Sequence, residues 1–117
     1  GDVNGDGFDD LLIGAPLANP DDNTYAGETY LVFGAAGGFP ASLDLSTLDG
    51  TNGFLLSGIA ERDLSGNSVS SAGDFNGDGF DDLLVGAPGA DPEDTLHAGE
   101  TYLVFGAPGG FPASLVL

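Results

Sequence analysis

The sequence predicts an all-β fold built from two copies of one repeat. Residues 1–45 and 73–117 are near copies at an offset of 72 positions, so that GDVNGDGFDDLLIGAP returns as GDFNGDGFDDLLVGAP and AGETYLVFGA returns unchanged. Short apolar and β-branched runs between Gly-rich turns are typical of strands, and no stretch shows the apolar period of a helix. A repeat of this length with strand-like content indicates a solenoid or a propeller.

Turn signals divide the repeat into four predicted strands, at residues 10–14 (DLLIG), 28–33 (ETYLVF), 53–57 (GFLLS) and 65–72 (SGNSVSSA). The first three would be strands two to four of a first unit, residues 1–62. The last would open a second unit, residues 63–117, which supplies strands one to three. Both units are incomplete, and an unpaired strand edge normally needs a partner. We expect that partner to be further repeats, in the same longer chain or in other copies of this chain.

The charge balance is strongly acidic, with 19 Asp and Glu residues against one basic residue, Arg62, and a formal charge of −18. Such a chain repels nucleic-acid phosphates and anionic membrane surfaces, so we expect neither as a partner. No apolar run is long enough for membrane insertion. The absence of cysteine excludes disulfides and thiolate metal sites. The carboxylates either form a solvated acidic surface or hold cations that reduce their mutual repulsion.

Two loops carry oxygen-bearing side chains at alternate positions, a spacing that wraps a loop around a hard cation. Three carboxylates and one carboxamide in each loop suit Ca²⁺, which accepts about six to eight oxygens in flexible geometry. A single imidazole and no thiol argue against zinc and copper. We therefore predict two Ca²⁺ ions per chain. The predicted ligands are Asp2, Asn4, Asp6, Phe8 through its carbonyl, and Asp10, and then Asp74, Asn76, Asp78, Phe80 through its carbonyl, and Asp82.

The alternative for these loops is a plain Asp/Asn/Gly turn without an ion, because the same residues favour turns. Five matching positions that occur twice in register favour the metal site. The loops are not EF-hands, since Ile13 and Val85 occupy the twelfth position where an EF-hand has Glu, and a strand follows instead of a helix.

The combined motif GDxNGDGxDDLLxGAP followed by ETYLVFG resembles the FG-GAP repeat of integrin α-subunit β-propellers and related bacterial proteins. The FG portions are residues 33–34 and 105–106, and the GAP portions are residues 14–16 and 86–88. The resemblance implies four-stranded antiparallel blades around a central axis, about one and a half of them in this chain. It also implies calcium in the hairpin loop between strands one and two. Integrin-type propellers have seven such repeats.

These expectations favour a non-enzymatic, calcium-binding propeller segment for adhesion or protein interaction, located outside the cell or at its surface, where calcium is abundant enough to fill weak sites. Its ligand would be an unidentified protein or glycan. One alternative is an accessory module of a secreted enzyme, and another is a structural repeat of a filament or cell-surface layer. Catalysis within the segment has little support, because it has no Cys or Lys and only one His.

Several other residues have weaker predicted roles. Glu28 and Glu100 either support the calcium loops from behind or are plain surface carboxylates, and Arg62 is expected to pair with Glu61 or Asp63. Residues 17–25 and 89–97, where the copies differ, are predicted to be a variable surface loop that includes His97. The aromatic strand residues should pack in the core, and Phe8 and Phe80 should each cover their own loop.

Overall fold

The computed structural model describes all 117 residues, as seven β-strands, three short 3₁₀ helices and no α-helix. The all-β prediction is thus confirmed, and none of the helices is long and apolar enough to cross a membrane. The strands are β1 (Leu11–Ala15), β2 (Glu28–Val32), β3 (Gly53–Ser57), β4 (Ser68–Gly73), β5 (Asp82–Ala87), β6 (Glu100–Val104) and β7 (Ser114–Val116). The 3₁₀ helices are Pro20–Asp22, Leu45–Thr47 and Pro92–Asp94.

The strands form two sheets that share one pattern. The first has the order β1-β2-β3-β7, and the second has the order β4-β5-β6. Strands β1 and β2 repeat as β5 and β6 with the same antiparallel register, since Leu12 faces Leu31 and Leu84 faces Leu103. Strand β4 begins at Ser68, three residues later than predicted. The left-handed φ of 84° at Gly66 interrupts the extended backbone, so the strand cannot begin at Ser65.

Strand β7 was not predicted, and it departs from the antiparallel pairing that the family resemblance implies. After β6 the chain leaves the second sheet and crosses to the first, where β7 lies parallel to β3. The Leu55 amide donates to the Ala113 carbonyl at 3.0 Å, and the Leu117 amide donates to the Ser57 carbonyl at 3.0 Å. The sequence GGFPAS, predicted only as a turn, therefore leads into a strand that joins the two repeats.

Both sheets contribute to one apolar core. Its seven buried members are Val3, Leu31, Phe33, Phe54, Leu56, Leu83 and Val85. Two of these members, Phe33 and Phe54, meet a third ring: the Phe54 ring stacks on Phe111 with centroids 4.6 Å apart and an interplanar angle of 13°, and Phe33 packs against both at 6.1 and 5.8 Å. Because Phe111 belongs to the second repeat, these rings fix one repeat against the other.

Equivalent residues of the two copies differ sharply in exposure. Phe33 is 6% exposed and its equivalent Phe105 is 51% exposed, although both end the same ETYLVF sequence. Leu83 is 2% exposed, whereas its equivalent Leu11 is 58% exposed. The buried member of each pair lies at the contact between the two repeats. Burial here depends on the neighbouring repeat rather than on the local sequence.

The loops at 17–25 and 89–97 keep one backbone path despite their different sequences. In both copies a proline starts a 3₁₀ turn, and the next two residues, Asp21 and Asp22 or Glu93 and Asp94, have left-handed φ values of 50° to 64°. The side chain of Asn19 accepts the Tyr25 amide at 2.7 Å, and Asp91 accepts the His97 amide in the same way. Two fixed features, the proline and the acceptor before it, thus define the loop.

The matched phenylalanines allow a direct test of this packing. We expect Phe33→Ala to lower the free energy of unfolding by about 3–4 kcal/mol, because it removes a buried ring, and Phe105→Ala to lower it by less than about 1 kcal/mol. Urea unfolding followed by circular dichroism measures both values. Equal losses for the two variants would contradict the exposure of Phe105.

Candidate metal-binding loops

The two Asp-rich loops occupy equivalent positions in the sheets. The second loop, residues 74–81, connects β4 to β5 as a hairpin, and the first loop precedes β1, which is the equivalent of β5. The hairpin position is the one that the family resemblance implies for calcium. Both loops fold in the same way, although only the second loop is preceded by a strand, β4, that pairs with the strand after the loop.

The first carboxylate of each loop organises its backbone. Asp2 accepts the amides of Gly5 at 2.7 Å, Asp6 at 3.0 Å and Gly7 at 2.8 Å. Asp74 likewise accepts the amides of Asp78 at 2.9 Å and Gly79 at 2.8 Å. The chain can turn this tightly because Gly5 and Gly7 adopt left-handed φ values of 74° and 91°, which cost glycine little.

The next two predicted ligands continue the same pattern. The Asn4 side-chain oxygen accepts the Asp6 amide at 3.1 Å, and its nitrogen donates to the Asp6 carboxylate at 3.0 Å. The other oxygen of Asp6 accepts the Phe8 amide at 2.9 Å. Asn76 and Asp78 make the corresponding three bonds at 3.2, 3.1 and 3.0 Å. The near-identical distances show that both copies encode one loop geometry.

The last carboxylate anchors each loop to its sheet. Asp82 is fully buried, and it accepts the amide of Phe75 at 2.9 Å on one oxygen and the amide of Gly106 at 2.9 Å on the other. Asp10 does the same with the amides of Val3 at 2.7 Å and Gly34 at 2.9 Å. The glycine of each FG pair thus donates to the final aspartate of its loop, which links two separate parts of the repeat motif.

Negative charge is concentrated in these loops. Burial raises the pKa of the Asp10 carboxyl above its usual value, and the nearby charges of Asp6 and Asp2 raise it further, against the lowering effect of the Gly34 and Val3 amides. The ionised form of Asp10 is thus disfavoured first by burial and then by the neighbouring carboxylates. No basic side chain forms an ion pair with them.

The donor set fits calcium in its chemistry, whereas the carboxylates do not converge. No three of the His, Asp and Glu side chains form a group arranged to hold a metal ion. The oxygens of the predicted ligands instead accept amides of their own loop or sheet, from the backbone or from the asparagine side chain. A carboxylate oxygen has a second lone pair, so an amide contact leaves it able to bind a cation as well.

The first loop also contacts the second hairpin. The Asp2 amide donates to the Asp81 carboxylate at 2.8 Å, and the Asp81 amide donates to the Asp2 carbonyl at 3.0 Å. The Phe80 ring lies so close to Gly5 that a Cβ there would overlap it. Phe80 therefore covers the neighbouring loop, and the expectation that it covers its own is wrong. The contact of Asp81 was not predicted from the sequence; the available signal was that Asp81 is the first residue of a repeated Asp-Asp pair.

Glu28 and Glu100 do not support the loops. Each accepts the hydroxyl of a tyrosine two residues later, Tyr30 at 2.5 Å and Tyr102 at 2.6 Å. In the β1–β2 register Glu28 faces Ala15, at the end of the hairpin opposite the Asp-rich loop. Of the two alternatives left open, the supporting role is therefore wrong.

The other weaker candidates lie at the surface. Arg62 forms no ion pair, because the buried Asp63 carboxylate accepts the Ala60 amide at 3.0 Å instead. The expected pairing of Arg62 is wrong. His97 is exposed in its loop, with its ring 3.8 Å from the Asp91 carboxylate, as expected for a surface residue.

With this geometry established, the chain is an all-β repeat protein whose Asp-rich loops are tied to the glycines of its FG pairs. The FG-GAP repeat model matches residues 1–32 and 65–114. Integrin alpha-5 of Xenopus laevis is 37% identical over 110 residues, which are 93% of this chain and 10% of that protein. Integrin alpha-PS2 of Drosophila melanogaster is 35% identical over 113 residues, 93% of this chain and 7% of that protein.

A further relative is the phosphatidylinositol-glycan-specific phospholipase D of Bos taurus, which is 37% identical over 109 residues, 93% of this chain and 13% of the enzyme. The chain therefore belongs to the FG-GAP repeat family. It spans only a small part of the length of each of these relatives.

The buried anchor of the second loop gives a first test of the site. We expect Asp82→Asn to lower the free energy of unfolding by about 2–3 kcal/mol, since the carboxamide nitrogen would face a backbone amide that has lost its acceptor. Asp10→Asn should cost less, because Asp10 is only half-buried. Both are measured by urea unfolding with a chelator present, so that loss of a metal ligand does not contribute. A cost for Asp82→Asn below that of Asp10→Asn would contradict the anchoring role.

The Tyr–Glu pairs give a second test. The hydrogen bond to Glu28 raises the pKa of Tyr30 to about 12, with burial adding to the effect. Because the folded pKa exceeds the ordinary value of 10.0, this pair stabilises the fold fully below pH 10 and loses its contribution as the pH rises towards 12. In a chain with Tyr25→Phe and Tyr102→Phe, we expect Glu28→Gln to lower the pKa of Tyr30, measured from tyrosinate absorbance. An unchanged pKa would rule out the Glu28 contact as its cause.

Proposed function

We propose that this chain is a non-enzymatic, calcium-binding segment of an FG-GAP β-propeller that serves adhesion or protein interaction outside the cell. The observation that carries the proposal is the duplicated loop. Two copies, 72 positions apart, place the same carboxylates in the same hydrogen-bond geometry, as acceptors of loop amides. Turns that only reverse the chain need no such concentration of carboxylates. The integrin relatives support an adhesion or interaction role.

The two sheets together support a four-stranded antiparallel blade. The second sheet has the pairing β4-β5-β6, and the first has β1-β2-β3, in which β1 and β2 are the equivalents of β5 and β6. When the two sheets are superimposed on their equivalent strand pairs, β1-β2 and β5-β6, they give strands one to four of one blade in sequence order. The proposed division is then a first unit of residues 1–62 and a second of residues 63–117, about one and a half blades. Strand β7 lies outside this blade pattern.

Electrostatics support a cation in each loop. A chain with a formal charge of −18 gains stability from any cation that binds its folded state among the carboxylates. Calcium bound there would neutralise the carboxylates and hold each loop to its hairpin. Asp2, Asn4, Asp6, the Phe8 carbonyl and Asp10 would hold one ion, and Asp74, Asn76, Asp78, the Phe80 carbonyl and Asp82 the other. Since Asp2 also contacts Asp81, the first ion would stiffen the junction between repeats.

An extracellular location follows from the same proposal. Extracellular calcium-binding modules have dissociation constants of about 10⁻⁴–10⁻³ M and are filled only where calcium is abundant. The absence of a catalytic centre is supported by the exposed position of His97, the chain's single histidine, and by the use of the loop carboxylates as backbone acceptors. The partners would be further FG-GAP repeats and a protein or glycan ligand.

Calcium-dependent stability tests the proposal. We expect Ca²⁺ to raise the melting temperature over that in a chelator, because ligand binding to the folded state adds about 2.7 kcal/mol per site at a hundredfold excess over the dissociation constant. The double variant Asp6→Ala, Asp78→Ala should lose this response. The control Asp22→Asn, Asp94→Asn removes two charges from the exposed loops and should keep it, because Asn tolerates the left-handed backbone there.

Isothermal titration calorimetry of the unaltered chain supplies a measurement that does not depend on the variants. Two ions per chain are expected, with Mg²⁺ binding more weakly because it requires a tighter octahedron. Equal melting temperatures with calcium and with chelator, together with no heat of binding, would overturn the calcium proposal.

A further inference from the structure

We infer that residues 39–45 form a docking surface for the outer strand of another FG-GAP repeat. These residues, FPASLDL, are termed the first clamp, and their copy at 111–117, FPASLVL, is termed the second clamp. The occupant is a strand of the β3 type, Gly-aromatic-apolar-apolar-Ser, from a repeat placed beside β1. The inference rests on the repeat arrangement and is independent of calcium.

The second clamp shows how such a segment binds. Phe111 stacks on Phe54 at 4.6 Å, and β7 then runs parallel to β3 with Leu56 opposite Leu115. Backbone hydrogen bonds hold both ends of β7, and Gly50 approaches the Phe111 carbonyl so closely that a Cβ would overlap it. Every one of these contacts is made with the other repeat.

The first clamp has the same sequence up to Leu43, after which it turns into the 3₁₀ helix Leu45–Thr47, and its residues 39–43 pair with no strand. Phe39, the equivalent of Phe111, is 56% exposed, and Leu43, the equivalent of Leu115, is 40% exposed. Residues 39–43 form no strand and, with Val32 and Phe33, line a groove of about 340 Å³. Residues 39–43 thus repeat the part of the second clamp that carries Phe111 and Leu115, and they have no strand to pair with; Asp44 stands where the second clamp has Val116.

Two contacts outside the clamp point to the same neighbour. Asp81 accepts the amide of Asp2 from the other repeat, whereas its equivalent Asp9 is exposed. Phe80 lies on Gly5 of the other repeat, whereas its equivalent Phe8 is 42% exposed. The exposed residues and the first clamp therefore reproduce, on the β1 side, the surface with which the second repeat contacts the first.

One position limits which repeat can dock. Gly89 approaches the Arg62 carbonyl of the first repeat so closely that a Cβ would overlap that oxygen, and the equivalent of Gly89 is Leu17, which is exposed. A repeat that docks on the first clamp must therefore carry a different loop where this chain has residues 59–63. The Leu17 side chain would contact that loop.

A second copy of this chain does not fit as the occupant. Its single strand of the required type, β3, is already covered by its own β7. The occupant must present such a strand with its outer edge free. The occupant is therefore a further repeat, and association of two copies of this chain through the first clamp would contradict the inference.

An extended chain tests the inference. Residues 1–72 are placed directly before Gly1, which reproduces the natural Ala72–Gly73 junction because Gly1 repeats Gly73. Leu17→Gly in the downstream part removes the expected overlap. Phe39→Ala in that part should lower the melting temperature by roughly 5 °C or more, as Phe111→Ala should in the 117-residue chain. Phe39→Ala in the 117-residue chain should leave it unchanged.

Cross-linking gives a readout that does not depend on stability. The chain has no cysteine, and Leu55 and Ser114 are register partners of β3 and β7, so upstream Leu55→Cys and downstream Ser42→Cys, the equivalent of Ser114, should form a disulfide in the extended chain on oxidation. The same two changes within the 117-residue chain should form none. Absence of the disulfide in the extended chain, or a melting temperature there that is insensitive to Phe39→Ala, would overturn the inference. So would a concentration-dependent dimer of the 117-residue chain that Phe39→Ala dissociates.

Discussion

The structure depends on the packing of Phe54 against two rings that come from different repeats. Phe33 directly follows strand β2 of the first sheet, and Phe111 comes from the second repeat, after β6. Without Phe111 the outer strand β3 would lack both its aromatic cover and the hydrogen bonds of β7. A single repeat cannot bury its own apolar residues fully, as is general for repeat architectures.

Local features of this fold were accessible from the sequence, and contacts between repeats were not. The strands β1, β2, β3, β5 and β6 follow from apolar runs that end at Gly and Pro, and the two loops follow from alternating Asp and Asn. The structure after GGFPAS could not be predicted, because this sequence leads into strand β7 in the second copy and towards a 3₁₀ helix in the first, where Asp44 replaces Val116. The second copy also has β3 alongside, which is a property of how the repeats are arranged.

The loops illustrate two uses of one set of carboxylates. The sequence pattern predicts cation ligands, and the structure shows the same oxygens as acceptors for backbone amides that would otherwise lack partners. The final aspartate of each loop was predicted as a ligand from its spacing alone. Its bond to the FG glycine, which joins the two halves of the repeat motif, required knowledge of how β2 and β6 end. The spacing of residues along the chain indicates which side chains can bind a cation, whereas the backbone amides that those side chains contact depend on the fold.

The variable loop separates the shape of a surface from its chemistry. Its backbone path is held by a proline, two left-handed residues and one side-chain acceptor, in both copies. Tyr25 in one copy stands where the other has His97, and the path is unchanged. Such a loop can exchange its outward-facing residues freely while the scaffold beneath stays constant, which makes it a natural position for diversification and for grafting foreign peptides.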